Sequence, residues 1–168
     1  MLTKLLSGAT GFILSGHLLN AQPITNPTAW GPDMVGIQMS IEVTNTLLKI
    51  RSDFVLRARI RNSSTNDIAI GIGYEPVYAF NIELIDSSGK SHEPNPAPGK
   101  TVMGNRFMPI RAGKTFEEAV PIFGLNPGLH PGHYKLRAKR RIFSWRDGKV
   151  EIPSKTEIIS NSLDVDVE

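Results

Sequence analysis

The sequence predicts an all-β chain folded as a single two-sheet antiparallel β-sandwich behind an N-terminal signal peptide, and three observations carry that reading. Apolar and polar residues alternate with a period of two, most clearly where Tyr134, Leu136 and Ala138 interleave with Lys135, Arg137 and Lys139; this is the pattern of a strand with one buried face. Clusters of Gly, Pro, Asn, Asp and Ser separate the alternating stretches, as turn chemistry requires. After residue 21 no window of helical period competes. Roughly seven to nine short strands at such spacing suit a sandwich, with a small closed barrel as the alternative.

A chain of 168 residues, 40% hydrophobic and 21% charged, is long enough for one domain with a real core and short for two. Its 19 basic and 16 acidic residues give a net charge of +3, a near balance rather than the excess that coats nucleic acid, so no nucleic-acid partner is expected. At the N-terminus, Lys4 precedes an apolar run from Leu5 to Leu19 that closes on Asn20-Ala21. This is the plan of a secretory signal cleaved after Ala21. The run is too short and interrupted to span a bilayer, so a secreted or periplasmic protein without stable membrane insertion is expected. There is no cysteine, which excludes disulfides, thiolate metal sites and a cysteine-linked lipid anchor.

The elements follow in order. Residues 22–33 hold three prolines and Gly31 and read as an extended lead-in, with Trp30 as its anchor onto the core. From there residues 34–168 form the sandwich. Val35, Ile37, Met39, Ile41 and Val43 make the apolar face of the first strand. After Leu47, Leu48 and Ile50, the run from Phe54 to Asn62 turns Phe54, Leu56, Ala58 and Ile60 inward and Arg57, Arg59 and Arg61 outward. Asn62 to Asp67 is turn chemistry that also contains an Asn-x-Ser triplet. Ile68–Ile72 and 77–85 are strands, the second with Tyr78, Phe80, Ile82 and Leu84 on its apolar face, and Asp86 to Lys90 is a hairpin turn. Ser91 to Lys100 carries three prolines and reads as a long polar loop. Pro121, within the run from Thr115 to Phe123, marks a sheet edge or a strand end because it removes a ladder donor. The stretch from Leu129 to Ile142 is the central strand, Asp147-Gly148 the hairpin turn after it, and Leu163, Val165 and Val167 the closing strand.

No catalytic constellation emerges, so the chain reads as a non-enzyme with no cofactor. No Gly-x-Ser-x-Gly elbow accompanies its Ser, His and Asp residues. His130 and His133 flank a Pro-Gly turn, which does not hold two imidazoles on one metal. The basic run Lys135, Arg137, Lys139, Arg140 and Arg141 reads as an exposed stripe, and the candidate interaction surface is Lys135, Arg137, Lys139 and Arg141 of this run, with Trp145 at the hairpin tip, where an aromatic can stack on a sugar ring or a partner. Pairing of the closing strand beside the central one predicts that Asp164 and Asp166 neutralise Lys135, Arg137 and Lys139, and Glu117 or Glu118 is expected near Arg57, Arg59 and Arg61. Function is therefore expected to be that of an exported binding or adhesion module whose partner is a protein or polysaccharide of the cell envelope.

The run Leu129-x-Pro131-Gly132-x-Tyr134-x-Leu136-x-Ala138, with the closing Ser160-Asn161-Ser162-Leu163-Asp164-Val165-Asp166-Val167, resembles the last strands of immunoglobulin-like and fibronectin-type-III-like sandwiches. That resemblance implies that the Tyr134 hydroxyl bonds back to the preceding corner. The segments Arg61-Asn62-Ser63-Ser64, Phe80-Asn81-Ile82-Glu83-Leu84, Asp86-Ser87-Ser88-Gly89-Lys90 and Ala112-Gly113-Lys114 are similar to the bacterial intracellular proteinase inhibitor family. This implies an alternative function, proteinase inhibition, for which Ser91 to Lys100 is the candidate rigid loop.

Overall fold

The computed structural model describes residues 29–72, 80–94 and 106–168. The signal peptide, the start of the lead-in, Tyr78 and most of the Ser91 to Lys100 loop lie outside them. Within the described residues the chain is all-β, with no helix. Its strands are β1 (Ile37–Val43), β2 (Leu47–Leu48), β3 (Phe54–Asn62), β4 (Ile68–Ile72), β5 (Phe80–Ile85), β6 (Ser91–His92), β7 (Arg106–Ile110), β8 (Thr115–Ile122), β9 (Gly132–Arg146), β10 (Lys149–Ile159) and β11 (Leu163–Val167). They form a three-stranded sheet in the order β1-β3-β8 and an eight-stranded sheet built on β9. Among the described residues neither sheet closes on itself, which does not match the barrel alternative.

β9 is the hub because its 15 residues are long enough to serve four neighbours. Leu136 sits opposite both Leu163 of β11 and Leu84 of β5, while Ile142 sits opposite both Thr156 of β10 and Ile70 of β4. Thus β11 and β10 share one edge of β9, and β5 and β4 share the other. Alternation then sends Tyr134, Leu136, Ala138 and Ile142 into the core, where they join Met39 and Ile41 of β1 and Leu56, Ala58 and Ile60 of β3 in one cluster. Burying a leucine such as Leu136, fully covered here, contributes roughly 1.5–3 kcal/mol. Tyr134 also donates its hydroxyl to the His130 carbonyl at 2.9 Å, the corner bond that the immunoglobulin-like resemblance implies. Pro121 lies in β8, an edge strand as its missing donor requires.

The two sheets are stitched along β1. Ile41 donates its N–H to Asn161 Oδ1 at 2.7 Å and accepts from Asn161 Nδ2 at 3.2 Å, so one side-chain amide caps the strand edge as a neighbouring strand would. Beside it, Gly31 donates to the Met39 carbonyl at 2.8 Å. Trp30 is half-buried with the Arg61 guanidinium 4.5 Å from its ring centroid, so the end of the lead-in meets β3 through this cation–π contact.

Five local expectations are corrected. β2 pairs β11 in parallel, so the large sheet is not purely antiparallel. Ser91 and His92 pair Ile85 and Leu84 as β6 and do not belong to a loop. Residues 149–159 form β10, a strand not read from the sequence, whose pairing with β9 slips between Glu151 and Thr156 and so breaks the alternation. Arg140, read as part of an exposed basic run, is 2% exposed, because it shares the inward parity of Tyr134, Leu136 and Ala138.

The fifth concerns Val35, which does not extend the apolar face of β1. Met34 and Ile37 exchange backbone hydrogen bonds across a two-residue turn in which Val35 has φ 59° and Gly36 φ 80°. Gly36 suits this turn, but a β-branched residue in the left-handed region costs about 1–3 kcal/mol. Val35 is also 84% exposed, so no packing offsets that strain. Replacing Val35 by asparagine, which tolerates positive φ, is expected to raise stability by about 1 kcal/mol. A higher urea midpoint at unchanged slope would show it, and a lower midpoint would mean that the valine packs in solution.

Candidate interaction surfaces

β9 presents its charged parity to the outside of the large sheet, where His133, Lys135, Arg137 and Lys139 each meet a carboxylate from a neighbouring strand. Lys135 lies 3.8 Å from Asp164, its register partner on β11. Arg137 and Lys139 instead reach across to β5, where Glu83 accepts from Arg137 Nε and Nη2 at 3.1 and 2.8 Å and from Lys139 Nζ at 2.6 Å. Asp166 takes His133 rather than a lysine, at 2.9 Å. The neutralisation expected from β11 therefore holds for Lys135, while for Arg137 and Lys139 it comes from a buried carboxylate on the opposite side. Burial pushes the Glu83 carboxyl up, but the hydrogen bonds and charges of Lys139 and Arg137 outweigh it and hold the group below its ordinary value. His133 titrates above its ordinary value because Asp166 and Asp164 favour its charged form.

The small sheet repeats the device. Arg59 on β3 stands between Glu117 of β8 at 3.1 Å and Glu42 of β1 at 3.7 Å, as cross-strand pairing predicts. Glu118, on the other parity of β8, points inward and pairs with Arg140 at 2.6 Å. Arg140 also donates to the Gly71 carbonyl at 2.9 Å and lies 4.3 Å from the Phe80 ring centroid, so this ion pair bridges the two sheets through the core.

Of the five residues singled out in the sequence, Lys135, Arg137 and Lys139 thus form a locally neutral ladder. Arg141 is exposed opposite Glu157 of β10, and half-buried Trp145 stands apart at the far end of β9. Phe143, two residues earlier, is buried edge-to-face against Phe107 at 5.1 Å.

Trp145 borders a cleft of about 560 Å³. Three segments wall it: the Val35-Gly36 turn, the loop from Ser64 to Asp67 between β3 and β4, and the β9–β10 hairpin from Ser144 to Gly148. Hydrogen bonds brace all three. Ser63 donates its N–H to the Gly36 carbonyl at 2.7 Å, Trp145 donates its N–H to the Asp67 carbonyl at 3.3 Å, and Ala112 donates its N–H to Asp67 Oδ1 at 2.9 Å. Beneath the loop, fully buried Asn62 donates to the Asn66 and Ile110 carbonyls and accepts from Ser64, which identifies the Asn-x-Ser triplet as a structural turn. At the hairpin tip Asp147 and Gly148 have φ 51° and 75°, the two-residue turn expected of Asp-Gly. Sequence reasoning found Trp145 but missed Val35, Asn66, Asp67 and Asp147, whose convergence depends on how the loops meet. Among the described residues no group of three or more His, Asp or Glu side chains is placed to hold a metal.

No protein-family model and no curated protein matches the chain. Solved structures with similar folds include a Pseudomonas fluorescens alkylpurine DNA glycosylase, AlkC, bound to DNA containing an abasic-site analogue (9% identity, TM-score 0.42, covering 80% of this chain and 31% of that one). Another is the CARDB domain of the PF1109 protein from Pyrococcus furiosus in complex with di-metal ions (10%, 0.37, covering 86% and 95%). A third is the ASH/PapD-like domain of human CEP192 (11%, 0.37, covering 94% and 96%). The chain thus spans less than a third of the glycosylase. At these identities and TM-scores none of the three carries an argument about this chain.

Proposed function

We propose that this chain is an exported, non-catalytic binding module of the cell envelope, an immunoglobulin-like two-sheet sandwich that engages its partner at the β9–β10 end. The cleft there is the observation that carries the reading. Its walls are cross-braced by backbone hydrogen bonds, and it keeps a strained, solvent-exposed Val35 at its rim. Backbone strain of this kind persists where surrounding structure enforces it and concentrates at binding sites. The basic ladder is a weaker candidate, since Glu83 and Asp164 already occupy its cations. Export rests on the Lys4, Leu5 to Leu19 and Ala21 pattern of the N-terminal sequence.

The test is co-sedimentation of the purified protein with washed cell-envelope material from its host. The expected result is that wild type pellets with the envelope, that Trp145→Ala and Val35→Asn remain in the supernatant, and that Arg137→Ala behaves as wild type. Pelleting that ignores the cleft substitutions, or no pelleting at all, overturns the proposal.

A further inference from the structure

We infer that the cleft at the β9–β10 end is a site for a neutral oligosaccharide, an assignment that rests on the binding-module reading and names its ligand class. A sugar ring offers one apolar C–H face and a rim of hydroxyls that both donate and accept. A complementary site combines a flat aromatic with short polar side chains of mixed donor and acceptor character.

The cleft has that composition. Trp145 supplies the aromatic and Val35 an exposed apolar contact, while Thr65, Asn66, Asp67 and Asp147 supply hydroxyl, amide and carboxylate groups. These come from three loops held to one another before any ligand arrives, which lowers the ordering cost of binding a weakly held, flexible ligand. Asp67 and Asp147 outnumber Arg146 among the charged residues of the walls, so the cleft has no net positive charge to draw phosphate, nucleic acid or acidic polysaccharide. A volume of about 560 Å³ suits a small-molecule ligand, whereas a stable protein interface spreads over about 800 Å² on each partner.

Intrinsic fluorescence reads the site directly, because the chain has two tryptophans and Trp30→Phe leaves Trp145 as sole reporter. Cellotriose, maltotriose and tri-N-acetylchitotriose are titrated into that variant, and at least one is expected to give a saturable shift. By calorimetry, Trp145→Ala is expected to weaken that sugar by about tenfold or more, the scale of one lost aromatic contact. Asp147→Asn, which keeps the turn's tolerance of positive φ, is expected to weaken it several-fold at an unchanged melting temperature. Arg137→Ala, on the outer ladder, should bind as wild type. Absence of a saturable shift with all three sugars, or binding that survives both cleft substitutions, overturns the inference. If envelope co-sedimentation still depends on Trp145 while no sugar binds, the ligand class is wrong and the binding-module reading stands; if co-sedimentation fails as well, both fall.

Discussion

Replacing Arg140 by alanine is expected to destabilise the protein by about 3–5 kcal/mol, the scale of removing one member of a buried ion pair. Arg140 is 2% exposed and its guanidinium makes three contacts inside the fold: Glu118 at 2.6 Å, the Gly71 carbonyl at 2.9 Å and the Phe80 ring. Burial pulls the guanidinium below its ordinary value and Glu118 only partly restores it, so the charge is tolerated because its partner is there. Alanine leaves the Glu118 carboxylate facing apolar residues and the Gly71 carbonyl without this donor. The pair itself is a different matter. Desolvating two charges costs about as much as their attraction returns, and Arg140 Nε has no partner among the described residues. Joint replacement by Arg140→Met and Glu118→Leu is therefore expected to recover most of the loss. Urea unfolding of wild type, each single variant and the double variant gives the cycle. A single-variant loss under about 1 kcal/mol would mean the guanidinium reaches water and the inward placement is wrong.

Arg140 also shows where sequence reading succeeded and where it stopped. The period of two placed β1, β3, β5 and β9 and most of their buried apolar residues, because one-sided burial in a sheet leaves a direct trace in the chain. The same rule, applied strictly, puts Arg140 on the inward parity of Leu136 and Ala138; the adjacent Arg141 hid it inside a charged run. Glu83 was hidden for the opposite reason. Its parity is outward, but Arg137 and Lys139 lie over it, and burial by neighbouring side chains is invisible to periodicity. β10 was lost because its pairing slips between Glu151 and Thr156, which breaks the alternation that would have announced it. Of the cleft only Trp145 was legible. Val35 carries no turn signature, since the residue before a glycine in such a turn is usually Asn or Asp. The approach of the Ser64 to Asp67 loop depends on a bond from Ser63 to Gly36 that spans distant strands and leaves no local trace.

Acid should weaken the fold through Glu83, and the sign follows from its partners. The folded carboxyl lies below its ordinary value of 4.5, since Lys139 and Arg137 favour the charged form more than burial opposes it. As pH falls below about 4.5, the unfolded chain takes up the proton first, so this contribution is present at neutral pH and is lost as pH drops through the lowered folded value. Glu83→Gln keeps the shape and removes the charge. It is expected to cost about 2 kcal/mol at neutral pH, the scale of hydrogen bonds to a charged group, because Arg137 and Lys139 then crowd on the outer face of β9 without their common acceptor. Below the folded value the wild-type carboxyl is itself neutral, so the gap between wild type and Glu83→Gln is expected to close. Asp86 also titrates low, held by the Ser88 hydroxyl and His92, but it is common to both proteins and cancels in the difference. Exposed Asp164 provides the contrast: Asp164→Asn removes only solvated pairs with Lys135 and His133 and is expected to change stability little. Urea midpoints for the three proteins, followed from neutral pH downward through the acid range, decide it: the Glu83→Gln deficit is expected to shrink progressively below about pH 4.5, and a deficit that stays constant throughout would show that packing rather than charge holds this position.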